Sequence, residues 1–123
     1  MPSLTDIALT FEQLVVSGEV RTAYDRYVSP DYLHHNPWFK GDRESLLLGL
    51  ESSAAEFADK EYAVQRVLED GDLVAIHSRL RPMPQLPEMA VVHIYRFEGE
   101  TIVEEWDLAQ PLPDDSPNEY GLF

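Results

Sequence analysis

The residues best suited to chemistry cluster in one stretch, "TIVEEWDLAQP", residues 101–111, where Glu104, Glu105 and Asp107 surround Trp106. A carboxylate that is to act as a general base must be ionised at the working pH and within reach of its proton. Apolar surroundings raise its pKa and make it a better base. Val103, Trp106 and Leu108 supply such surroundings for Asp107, which is therefore the candidate catalytic base. Side chains alternate along a strand, so Glu105 shares a face with Asp107, while Glu104 shares one with Trp106, which is read as a substrate-binding candidate. Two carboxylates in one pocket push each other's pKa values apart, an arrangement that acid/base enzymes use. Glu105 is thus a second site candidate, either as that partner or as the ion-pair partner of His93 or Arg96.

His93 in "VVHIYR" is the candidate partner of Asp107, subject to register. A plain two-residue turn at Gly99-Glu100 sets residue 93 opposite residue 106, on the face of Trp106. A β-bulge or a three-residue loop brings His93 and Asp107 onto one face. His34, His35 and Asn36 are adjacent, and neighbouring side chains of an extended segment diverge. The HxH and HxxxH spacings of metal sites are missing, so no metal is expected. His35 and Asn36 are read instead as lining a pocket mouth, with Trp38 from the aromatic-rich stretch that precedes the third helix. His77, on the face of Val64, Arg66, Leu73 and Ala75, is read either as a further cavity residue or as a structural one. No P-loop, GxGxxG, GxSxG or HExxH pattern occurs, so no cofactor is expected.

Positioning these groups requires a scaffold. "SLTDIALTFEQLVVSG" carries Leu4, Ile7, Phe11, Leu14 and Val15 at helical spacing, opens on a Ser3/Asp6 capping box and stops at Gly18. "EVRTAYDRYVSP" predicts a second, shorter helix ended by Pro30. "DYLHHNPWFKGD" reads as a loop or single turn, and "RESLLLGLESSAAEFAD" as a third helix. The remainder alternates as strands. "EYAVQRVLE" and "LVAIHSRLR" flank the hairpin signal Asp70-Gly71. "MAVVHIYRF" and "TIVEEWDLAQ" flank "EGE". Three helices followed by about four antiparallel strands predict an α+β domain, with helices on one face of a curved sheet and a pocket at its open end. The tail 111–123 is expected to be extended, with Leu122 and Phe123 docking on the body or on a second subunit.

The 123 residues suit a single domain spanning 1–123, and 44% hydrophobic residues is ordinary for a globular chain. The net charge of −14, from 23 acids against 9 Lys and Arg, argues against nucleic acid and anionic membranes as partners. Without cysteine there is no disulfide, thiolate metal site or Cys nucleophile, which fits a cytoplasmic location. The opening "MPSLTDIALTF" has no basic region followed by an apolar run, and no apolar run approaches the roughly 18 residues that span a bilayer.

"YLHHNP", "LEDGDLVAIH", "VVHIYRFEGETIVEEWDLAQPLP" and "NEYGLF" together resemble the SnoaL-like polyketide cyclases of the NTF2-like superfamily, in the right order over nearly the whole chain. The resemblance implies a cone-shaped α+β barrel whose pocket holds an Asp that takes a proton from an activated carbon. Asp107 matches that Asp, His93 the pocket His, and His35 with Asn36 the family's "HNP". Relatives with that motif read His-Trp-Asp where this chain has Glu105-Trp106-Asp107, and often carry Asp at the position of His93. The function implied is an aldol-type cyclisation or isomerisation of a small apolar carbonyl compound, with Asp107 as base and His93 or Asn36 donating a hydrogen bond to the enolate oxygen. The alternative is a non-catalytic ligand-binding or interaction domain on the same fold. A homodimer through the open face of the sheet is also implied.

Overall fold

The computed structural model describes residues 2–123. The chain runs α1 (Leu4–Val16), α2 (Val20–Tyr27), β1 (Val28–His35), α3 (Arg43–Glu56), β2 (Glu61–Asp70), β3 (Leu73–Arg81), β4 (Met89–Glu98) and β5 (Thr101–Pro111). Local chemistry sets the helix ends. Ser3 Oγ accepts from the Asp6 N–H at 3.1 Å, and the Asp6 carboxylate accepts from the Ser3 N–H at 3.3 Å, closing the expected capping box. Gly18, with φ +93°, ends that run where a side chain would be strained. Asp42 caps α3 by accepting from the Ser45 N–H at 3.0 Å.

The strands form one five-stranded sheet in the order β1-β5-β4-β3-β2. Two expectations are corrected here. The segment read as a helix end and loop contains strand β1, which pairs parallel to β5 and makes the sheet mixed. Pro30 has no N–H to give to a ladder, so it is tolerated at this edge position. The sheet also does not close into a barrel, because β1 and β2 remain edges.

The helices cover one face of the sheet. On β3 the buried residues are Val74, Ile76 and Ser78, alternating with Ala75, His77 and Arg79 on the uncovered face. The core joins Ile7 and Phe11 of α1, Tyr24 of α2 and Leu46 and Leu47 of α3 to Val74, Ile76, Tyr95, Phe97 and Ile102 of the sheet. The tail after Pro111 forms no helix or strand. Its Phe123 docks on the uncovered face, with the Arg79 guanidinium 4.6 Å from its ring and the His77 ring at 5.4 Å.

One irregularity decides the site. Phe97 pairs with Ile102 and Arg96 with Glu104, so Val103 is an extra residue in β5. This bulge resets the register and sets His93 opposite Asp107. Both side chains therefore face the helices.

Candidate functional site

Between α1, α3 and the sheet lies a cleft in two continuous parts. An inner chamber of about 60 Å³ is lined by Phe11, Leu46 and Leu50 with Glu12, His93, Glu105 and Asp107. An outer part of about 260 Å³ runs past Phe57, Leu80, Pro82, Met89 and Val91, and shares His93 and Asp107 with the chamber. The walls are mostly apolar, with Ser53 and Lys60 along the outer part, and the acids gather with His93 at one spot on the floor.

That spot is a cluster of hydrogen bonds and ion pairs. His93 Nε2 is 3.3 Å from Asp107 Oδ1, and His93 Nδ1 is 2.8 Å from Glu12 Oε2. Asn36 Nδ2 donates to Asp107 Oδ2 at 2.8 Å. The Tyr32 hydroxyl donates to Glu105 Oε1 at 2.6 Å. Glu12 also accepts from the hydroxyls of Tyr95, at 2.6 Å, and of Tyr62. Glu12 and Glu105 are buried, whereas His93 and Asp107 each keep 20% of their side chains exposed in the cleft.

The environment separates the charge states. Burial alone would push His93 down, but its bonds to Asp107 and Glu12 outweigh burial and raise it well above 6.5. His93 is therefore an imidazolium, hydrogen-bonded through Nδ1 to Glu12 and ion-paired through Nε2 with Asp107. Asp107 is likewise opposed by burial, yet His93 and Asn36 hold it below the usual carboxylate range. Glu105 goes the other way. Burial, aided by the charges of Asp107 and Glu12 and opposed by His93 and Tyr32, lifts it to about 7. Near neutral pH Asp107 is ionised, while Glu105 on the same strand stands near its midpoint.

The atoms of His93, Glu105 and Asp107 lie within 4.8 Å of one another, close enough to hold an ion. In the ion-paired arrangement His93 carries a proton on the nitrogen facing Asp107, which a metal would have to displace.

Of the residues singled out in the sequence, Asp107, His93, Glu105 and Asn36 come together here. Four others do not line the cleft, and each is a correction. His35 sits on the uncovered face, bonded to Glu104 at 2.7 Å and stacked on Trp106 at 5.3 Å. Trp106 shares that face because it is one residue out of phase with Asp107. His77 also faces outward, accepting from Arg66 at 3.0 Å, while the bulge between Val64 and Arg66 turns Val64 away from it. Trp38 is 84% exposed at the tip of the turn after β1. His34 is the structural member of its pair: it donates from Nε2 to the Lys40 carbonyl at 2.7 Å and accepts the Asn36 N–H at 3.1 Å. Those bonds hold the turn that delivers Asn36 to Asp107.

Sequence reasoning missed Glu12. Its signal was an acid inside the apolar stripe of α1, four residues after Ala8 and three before Val15. It missed Tyr32 as well, whose strand was read as a loop.

The scaffold is thus α+β, with an acidic pair and an imidazolium gathered between the helices and the sheet. The chain belongs to the SnoaL-like domain family, which matches over residues 6–105. Three solved structures share its NTF2-like fold. IdmH, a candidate polyketide cyclase from Streptomyces antibioticus, is 22% identical, with a TM-score of 0.73 over 88% of this chain and 92% of that one. A candidate polyketide cyclase from Acidithiobacillus ferrooxidans is 21% identical, with a TM-score of 0.69 over 86% of this chain and 87% of that one. An NTF2-like protein of unknown function from Cytophaga hutchinsonii is 16% identical, with a TM-score of 0.73 over 90% and 93%. These likenesses show the fold. No curated protein matches the chain. Among the described residues no helix is long and apolar enough to cross a membrane.

Proposed function

We propose that this protein is an acid/base enzyme that moves a proton at the carbon next to the carbonyl of a small, apolar, uncharged compound, as in an aldol-type cyclisation or an isomerisation. The observation that carries this reading is the contrast between two carboxylates in one cleft, Asp107 held ionised and Glu105 raised to about 7. In the proposed reaction Asp107 takes the proton from carbon. Glu105 gives its proton to the carbonyl oxygen, so an enol forms rather than a free enolate. The enol carbon then attacks an internal carbonyl, whose oxygen takes the proton held by Asp107, or is itself reprotonated at another carbon by Asp107; in either case the enol O–H proton returns to Glu105. Total charge in the cleft is unchanged throughout, which suits a site that already holds more acids than cations. His93 is not free to donate to the oxygen, because its two ring nitrogens are paired with Glu12 and Asp107. Its role is to orient Asp107.

Exchange in deuterated water tests this reading. A panel of enolisable aryl ketones is followed by proton NMR for loss of the signal next to the carbonyl. The native protein is expected to speed that loss, and Asp107→Asn to reduce the rate by about 10²–10⁴-fold while ligands still bind. Binding without exchange across the panel supports the second reading, a ligand-binding domain. That reading draws on the pairing of His93 with Glu12 and Asp107, which turns both sides of the imidazolium away from an oxyanion. We also propose that the uncovered sheet face, with Ala75, Val92, Ile94, Trp106 and Leu108, pairs two copies as a homodimer.

A further inference from the structure

Glu12 is 4% exposed on α1, in a turn whose other inward residues, Phe11 and Val15, are apolar. An ionisable group there is unfavourable unless it is fully paired. Glu12 has three partners, all from the sheet: the Tyr62 hydroxyl from β2, and the Tyr95 hydroxyl at 2.6 Å and His93 Nδ1 at 2.8 Å from β4. Core packing needs none of these, since an apolar residue would fill the same space. What the carboxylate supplies is a negative charge behind the imidazole, on the side opposite Asp107.

We infer that Glu12 is a positioning residue for the proton transfer proposed above: it holds His93 as the imidazolium that fixes the Asp107 carboxylate in the cleft. The titratable groups around His93 are Glu12 from α1, Tyr62 from β2, Tyr95 beside it on β4, and Glu105 and Asp107 from β5, with Lys60, between α3 and β2, lining the outer part of the same cleft. Only Glu12 and Asp107 contact its nitrogens. Without the Glu12 charge, burial favours the neutral ring, which has a single N–H to share between the two sides. A ring that turns its lone pair on Asp107 repels the carboxylate instead of holding it. The same loss releases Asp107 from its depressed pKa.

The test is a titration of histidine-labelled protein by NMR, with the His93 signal assigned from His93→Gln. The chain has four histidines, so the assignment is tractable. Native His93 is expected to stay protonated through neutral pH. In Glu12→Gln its titration should move down by about one pH unit or more, and exchange should slow about tenfold with KM within about twofold. Glu12→Asp keeps the charge and is expected to keep most of the raised titration. Circular dichroism confirms that each variant is folded. The inference is overturned when His93 titrates unchanged in folded Glu12→Gln, or when Glu12→Asp shifts it as far as Glu12→Gln does. The titration uses no substrate, so its failure is distinct from a failure of the proposed reaction, which would show as native protein inert towards every ketone.

Discussion

Replacing Glu105 by glutamine separates a carboxyl that holds its proton from one that merely fills space. Burial and the charges of Asp107 and Glu12 lift this group from 4.5 to about 7. In the unfolded chain it titrates near its ordinary value, so between the two the folded protein keeps a proton that the unfolded chain releases. The sign follows: the stability contributed by this group is fully present below about pH 4.5 and is lost as pH rises through about 7. At about 1.4 kcal/mol per unit, the whole shift corresponds to about 3 kcal/mol. The glutamine side chain would retain the shape and an acceptor for the Tyr32 hydroxyl, but it has no proton to lose. Urea unfolding of both proteins, at fixed protomer concentration, should therefore show the variant gaining about 2–3 kcal/mol over the native protein between about pH 5 and pH 8. The tryptophans Trp38 and Trp106 report the transition. A stability difference that stays constant with pH would mean Glu105 titrates as an ordinary carboxyl, and the division of labour between the two acids would fail.

Two further outcomes are expected. Asn36→Ala removes the 2.8 Å bond that helps hold Asp107 ionised, so the acid limb of the exchange reaction should move to higher pH, with a rate loss of about tenfold at its optimum; an unmoved limb would show that Asn36 only shapes the turn. Light scattering after size-exclusion chromatography should give twice the chain mass of 14.1 kDa, and Val92→Glu on the uncovered face should give the single mass; a native protein at the single mass would refute the dimer.

The parts of the fold visible in the sequence were those with local causes. The Ser3/Asp6 box, Gly18, and the glycines of the two hairpins, Gly71 at φ +61° and Gly99 at φ +60°, each dictate backbone on their own. Strand β1 was not legible, because "VSPDYLHH" is short, polar and interrupted by Pro30, and only its pairing with β5 makes it a strand. The same holds for His93 and Asp107. Alternation along each strand was plain, but their common face depends on one extra residue, Val103, which no local pattern marks. His77 shows a related limit: parity groups it correctly with Arg66, Leu73 and Ala75, but parity does not say which face is the inside. Glu12 was hidden because its partners arrive from β2 and β4, some 50 to 83 residues further along the chain. Positions 93 and 105, where the resemblance departs from its pattern, come close together in three dimensions. They lie on neighbouring strands and one face, so the cluster still holds one histidine and two acids.

In the proposed reaction Asp107 works as the ionised base and Glu105 as the protonated acid. The pH profile of ketone exchange tests it most directly. The rate should be level through the mildly acidic range and fall above about pH 7 as Glu105 loses its proton. Glu105→Gln should abolish that fall, and Asp107→Asn should abolish exchange at every pH. A rate that instead rises through about 7, or one that survives in Asp107→Asn, would contradict the assignment and make Glu105 the base.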